Sequence, residues 1–320
     1  MTQEFIWDKN SAQTYTKDYG TQKITDSRSH FWKNPGADFT MDAEGETLTL
    51  AIVGAYDEES MVWWPSSGSV MSGGNLNMNI MNGNLVLDYD KNNRVTNSGL
   101  YLANRQGNTA PLSLTLNNSS QLNVTNCPFI VFGSKDEFTL NMSDSSRFNI
   151  DISVSEGSTL RNKIGGTFNL NDNASFLCNF SNKVPKHEAI FFSFFATLKN
   201  SAQITFTDST LTSSKLTFSS NDGVGFDING ENSRLMFMAK NHPLLGTEEI
   251  SEMNKGTFNF ITKGIVNNSE IVLQNAGKDE INAFWKTGAI AIDDQPQYDD
   301  KNLNFDYDDA LPGLRISVKH

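Results

Sequence analysis

The sequence predicts an all-β chain wound as a parallel solenoid. Three observations carry that prediction: a two-armed alternating segment that recurs, a nearly constant step between its copies, and turn residues that return at the same place in each copy. The clearest copies are LSLTLNNSSQLNV (112–124), FTLNMSDSSRFNI (138–150), TFNLNDNASFLCNF (167–180) and ATLKNSAQITF (196–206). Alternation of apolar and polar residues buries one row of side chains and solvates the other, which marks a half-buried strand.

Within a copy, the two arms keep a fixed gap. Leu116 and Leu122, Met142 and Phe148, Leu170 and Phe176, and Leu198 and Ile204 each stand six apart. GFDINGENSRLMF places Ile228 and Leu235 one residue further apart, and ITKGIVNNSEIVL offers Ile265 and Ile271 as its pair. A Ser or Ala precedes each second arm by two positions: Ser120, Ser146, Ala174, Ala202, Ser233 and Ser269. Asn, Asp or Gly occupies the corner, where a left-handed backbone is tolerated and stacked amides can form a ladder.

Second arms begin at Leu122, Phe148, Phe176, Ile204, Leu235 and Ile271, so the steps are 26, 28, 28, 31 and 36 residues. Looser copies, FTMDAEGETLTL (39–50) and NLNMNIMNGNLVL (75–87), put earlier second arms at Leu48 and Leu85. A step near 28 residues accommodates three strands of about five residues with their turns. STLRNKI (158–164) and EAIFFSFF (188–195) are candidates for the third strand. Only PLLGTEEISEMNKG (243–256) reads as helical, with Thr247 as its cap.

The LxLxNxSxLxV pattern and its copies resemble the right-handed parallel β-helices of autotransporter passenger domains and related bacterial adhesins. The resemblance implies a single-stranded right-handed β-solenoid of about three strands per coil with capped ends. The likeness covers about residues 39–290; because a solenoid's terminal coils expose unpaired edges, residues 1–38 are expected as an N-terminal cap, and the acidic 291–320, ending in the strand LRISVKH, as a cap or a last strand that pairs with the next molecule. In the cap, Trp7, Tyr15, Tyr19, Phe31 and Trp32 are expected to pack over the first coil. A secretory leader and a C-terminal membrane barrel, both expected of autotransporters, are not read in this sequence.

Composition narrows the function. The chain has 320 residues and a net charge of −12, and 37 residues are asparagine. Nucleic-acid backbone binding needs clustered Lys and Arg, which the chain lacks. No apolar run approaches the roughly 18 residues of a membrane-spanning helix. Cys127 and Cys178 are expected as buried unlinked thiols, one disulfide being the alternative if adjacent coils bring them together.

Catalytic signatures are sparse. His30, His187, His242 and His320 are widely separated, and no P-loop or GxSxG elbow occurs. Asp88 and Asp90, at i and i+2 in LVLDYDK, would stand about 6.6 Å apart on a strand, near the separation of an inverting acid and base. Asp299, Asp300, Asp306 and Asp308 supply the hard oxygens that Ca²⁺ takes, although no EF-hand order is present; calcium is the one cofactor considered. Trp63 and Trp64 are neighbours, so alternation turns one outward as a stacking platform for sugar rings.

These features favour a non-enzymatic β-solenoid at a bacterial surface or outside the cell, adhesin-like or self-assembling, reached by an unrecognised export route. Its expected partners are a glycan or cell-surface receptor, or another copy joined end to end. The alternatives are a carbohydrate-active or phage-spike-like depolymerase using Asp88 and Asp90, and an effector exported without a signal peptide; a cytoplasmic location is compatible with the sequence.

Overall fold

The computed structural model describes residues 3–26, 33, 36–52, 62–64, 76–89, 99–103, 111–153, 162–180, 189–209, 215–218, 223–308 and 313–320. The chain forms a β-solenoid of about 7 turns in which strands make up 56% of the described residues. Strands stack in parallel register along three faces. The first sheet includes Leu112–Leu116, Phe138–Met142 and Gly225–Asn229, and ends at Ile290–Ile292. The second includes Gln121–Cys127, Arg147–Ile152, Ser175–Phe180, Gln203–Asp208, Arg234–Ala239 and Glu270–Gln274. The third contains Val62–Trp64, Leu100–Leu102, Ile130–Phe132 and Lys215–Phe218. The long strands Lys163–Leu170 and Ala189–Lys199 pass from the third sheet into the first.

The alternating arms pair in the register their spacing predicts. Leu48, Leu85, Leu122, Phe148, Phe176, Ile204, Leu235 and Ile271 lie successively opposite one another, coil over coil. In the first sheet, Leu116, Met142, Leu170, Leu198, Ile228 and Phe260 do the same. All are buried, and with the rows beside them they form one continuous core. A run of ring contacts threads it: Phe148 to Phe176 at 5.4 Å, Phe176 to Phe168 at 5.3 Å, Phe168 to Phe194 at 4.9 Å, Phe194 to Phe226 and Phe226 to Phe258 at 5.2 Å. Aromatic pairs of this geometry contribute about 0.5–1.5 kcal/mol beyond their burial.

Corners repeat as faithfully as strands. Asn118, Asp144, Asp172 and Asn200 adopt positive φ of 55–59°, the left-handed conformation that Asn and Asp accept most readily after Gly. Two residues on, Ser120, Ser146, Ala174 and Ala202 are buried, as are Ser233 and Ser269 at the same place in later coils. Their small side chains let the corner close, while each carbonyl from Ser120, Ser146, Ala174, Ala202 and Ser233 accepts a backbone N–H from the next coil. The hydroxyls of Ser120 and Ser146 are buried without a hydrogen-bond partner, in a column where Ala174 and Ala202 serve equally well. Ser146→Ala is therefore expected to stabilise the chain by about 1 kcal/mol, read as a higher urea midpoint with an unchanged slope.

Three expectations need correction near the C-terminus. Ile265 is not a first arm: Phe258–Phe260 holds that place, with Phe260 opposite Ile228, and Ile265 sits in a bend of a longer corner. Buried Asn267 braces that corner by donating to the carbonyls of Ile228 and Ile261. Nor is the 243–256 region the only helix. Helix α1 (Thr247–Ser251) is joined by α2 (Lys278–Thr287), which packs against it, and α1 in turn packs on Lys215–Phe218, so the pair continues the third face of the solenoid. Finally, Thr247 is the first residue of α1 rather than its cap. Gly246 caps it, its N–H donating to Glu249 Oε2 at 3.0 Å, and Gly277 with Glu280 repeats the arrangement for α2 at 2.7 Å. Gly288 ends α2 in the left-handed conformation.

Both ends of the stack are covered. Gln13–Thr16 and Gln22–Asp26 pair with Phe39–Ile52 ahead of the first predicted copy. Residues 3–11 lie beside them, tied by Gln13 and Gln22 side chains to backbone groups of Ile6, Asp8, Gln3 and Phe5. Phe5, Tyr15 and Tyr19 pack mutually at 5.1–5.3 Å, and Trp7 packs on Phe39 at 5.1 Å; Phe31 and Trp32 lie outside the described residues. Lys33 is wholly buried here, donating to the carbonyls of Asp8 and Ser11 and to Gln13 Oε1 beneath the Trp7 ring. Burial lowers its ammonium to about 8, against the pull of Asp8 and Asp38. At the other end, Gly313–Val318, which contains the predicted LRISV strand, runs antiparallel to Glu270–Gln274 and is itself covered by antiparallel Leu303–Asp308.

Candidate functional site

Outward columns of the stacked strands bring polar side chains to a common face. In the second sheet, Asn123 donates to Asn84 at 2.6 Å and Asn149 donates to Asn123 at 2.8 Å. In the first sheet, Asn169 donates to Asn141 at 2.9 Å. An amide suits this place because its NH₂ and its C=O can each serve a neighbouring coil. The corner column is also tied: Asn118 N–H donates to Asp144 Oδ2 at 2.9 Å and Asn200 Nδ2 to Asp172 Oδ1 at 2.9 Å. The Asn118 N–H and the Ser143 hydroxyl hold the Asp144 carboxyl below the usual carboxylate range.

Between two outward columns of the first sheet runs a groove of about 350 Å³, parallel to the solenoid axis. Asn141, Asn169 and Thr197 form one wall, and Asn117, Ser143, Asn171 and Lys199 the other. These residues belong to four consecutive coils, so the groove offers an amide or hydroxyl about every 4.8 Å. Beside it, Phe195 stands two residues before Thr197 on the same face and is 40% exposed. It faces Gly225 across the ladder. A methyl group on Gly225 would come within 2.9 Å of the ring, and one on Gly223 within 3.0 Å. The two glycines thus leave bare backbone for the ring to lie against. Lys135, itself exposed, holds its ammonium 5.7 Å from the ring centroid.

Phe195 was not singled out from sequence, though a signal existed. In AIFFSFFATLK, the inward row Phe192, Phe194, Ala196 and Leu198 forces Phe195 outward by alternation. The length of the apolar run concealed that phase.

The residues singled out from sequence are scattered over the molecule. Asp88 faces outward on the second sheet, with Oδ1 accepting from the Thr125 hydroxyl at 2.9 Å and Oδ2 3.6 Å from Lys23 Nζ; Asp90 lies outside the described residues. Trp63 and Trp64 lie in the third sheet, opposite Tyr101 and Leu102. Asp299 accepts from the Lys301 N–H at 3.0 Å and pairs with its ammonium at 3.1 Å, which holds the carboxyl low. The Asp300 carbonyl accepts from Lys319 Nζ at 2.5 Å. Asp306 and Asp308 lie on the outermost strand, opposite Arg315 and Gly313. Among the described residues, no three His, Cys, Asp or Glu side chains stand close enough to share a metal ion. Cys127 and Cys178 are buried free thiols two coils apart, and burial pushes Cys127 up to about 12.

A second hollow, of about 440 Å³, lies near the C-terminal cap between Thr262, Asp293, Gln297, Asn302 and Lys319. The Thr262 hydroxyl and N–H both donate to Asp293, at 2.6 and 2.9 Å, and hold that carboxyl low. Its polar groups serve the corner they close. No helix of the described chain is long and apolar enough to cross a membrane.

No protein-family model, curated protein or solved structure matches the chain.

Proposed function

We propose that the chain is a non-enzymatic, adhesin-like β-solenoid that acts through its sides, outside the cell or at its surface. The observation that carries this reading is the polar outer face of the first sheet, where a groove crosses four coils beside an exposed aromatic ring. Cross-coil amide hydrogen bonds fix the groups on that face, so little side-chain entropy is left to lose when a ligand settles. The strand left at the C-terminal edge, Leu303–Asp308, is short and carries the exposed Asp306, a charge of the kind that discourages pairing with another chain, which supports lateral contact over end-to-end assembly. Asp88, with both oxygens engaged, gives no support to a catalytic role.

The reading is tested with fluorescently labelled full-length protein on a panel of bacterial and animal cells, with sedimentation velocity run in parallel. Saturable cell binding by a monomeric rod is the expected result. Absence of binding to every cell type, or filaments in place of monomers, contradicts it.

A further inference from the structure

Resting on that reading, we propose that the axial groove of the first sheet binds an extended neutral polysaccharide, with Phe195 as the platform for one sugar ring. A pyranose has an apolar face of C–H groups and a rim of hydroxyls, so it needs a flat apolar surface and donors and acceptors beside it. Phe195 supplies the first. Asn141, Asn169, Asn171, Ser143 and Thr197 supply the second.

The geometry selects a polymer over a small molecule. The groove is open and shallow, and its polar groups recur at the coil spacing of about 4.8 Å, close to the advance of one sugar unit in an extended chain. Each contact is weak alone, and affinity accumulates along the row. The chemistry selects a neutral polymer: the groove wall holds amides and hydroxyls and a single cation, Lys199, in a chain of net charge −12. Two glycines provide the seat. Side chains at Gly223 and Gly225 would collide with Phe195 as it lies. Lys135 is the only cation over the ring among the described residues, and an exposed pairing of that kind is weak enough for a sugar to displace.

The test uses the full chain with cellohexaose, chitohexaose, mannohexaose and, as an anionic control, hexagalacturonic acid, in calorimetric titrations with and without 0.5 M salt. At least one neutral hexasaccharide is expected to bind more tightly than its disaccharide, with no loss in salt. Phe195→Ala should weaken that binding about tenfold or more with only a small drop in melting temperature, since the ring lies on the surface outside the core, and Phe195→Trp should restore the binding. Binding of none of the neutral hexasaccharides, equal binding by Phe195→Ala, or binding of the anionic chain alone with loss in salt each overturns the proposal. Cell binding that survives Phe195→Ala while the hexasaccharides fail would overturn the groove assignment and leave the adhesin-like reading standing.

Discussion

Replacing Phe176 with alanine should lower stability by about 3–5 kcal/mol, the largest effect expected of a single side chain here. The ring is wholly buried and meets Phe148, Phe168 and Phe206 at 5.4, 5.3 and 6.2 Å. A cavity left in its place cannot close, because backbone ladders above and below hold the coils at their spacing; relaxation is blocked along the axis. Phe176→Leu should cost less, since Leu122 and Ile204 already occupy the same column. Urea unfolding followed by circular dichroism measures both. A loss under 1 kcal/mol for Phe176→Ala would mean that the ring is not in the core.

Removal of residues 303–320 should turn a monomer into a self-associating species. These residues form the two antiparallel strands that cover Glu270–Gln274. Without them Ile271 and Leu273 face solvent beside a row of unpaired backbone groups, the arrangement that recruits other chains. Terminal units of repeat proteins commonly serve as solubilising caps for this reason. Light scattering on the truncated protein should report oligomers at concentrations where the full chain is monomeric. A truncated chain that stays monomeric would remove the capping role from this segment.

The solenoid was legible because its signal is redundant. A period-two pattern tolerates no slip without turning its apolar row outward, so the six-residue gap between arms and the small residue before each second arm sufficed to align Leu122, Phe148, Phe176 and Ile204. Legibility failed where the repeat relaxes. Ile265 matched the gap by coincidence, since Phe260 is the residue that pairs with Ile228 while the corner between arms lengthens around Asn267. Helix α2 carries its own signs, Glu280 three residues after Gly277 and Gly288 at its end, yet it falls within the range that the repeat assigns to the solenoid. The groove was legible only in part. Alternation declares which side chains point outward; that Asn141, Asn169 and Thr197 line one trough, with Phe195 seated against Gly225, depends on how coils twist and where neighbouring glycines fall. Lys33 shows a similar limit, since a lysine in a polar segment gives no sign that three acceptors and the Trp7 ring enclose it.

A crystal structure of the full-length protein is the most direct measurement, because both the core and the proposed binding face depend on coils stacked in register. The account predicts Phe148 and Phe176 in adjacent parallel strands of one sheet, ring centroids about 5.4 Å apart, with Asn141 and Asn169 joined amide to amide on the outside. Electron density that puts those two phenylalanines in different sheets, or turns Asn141 away from Asn169, would contradict it.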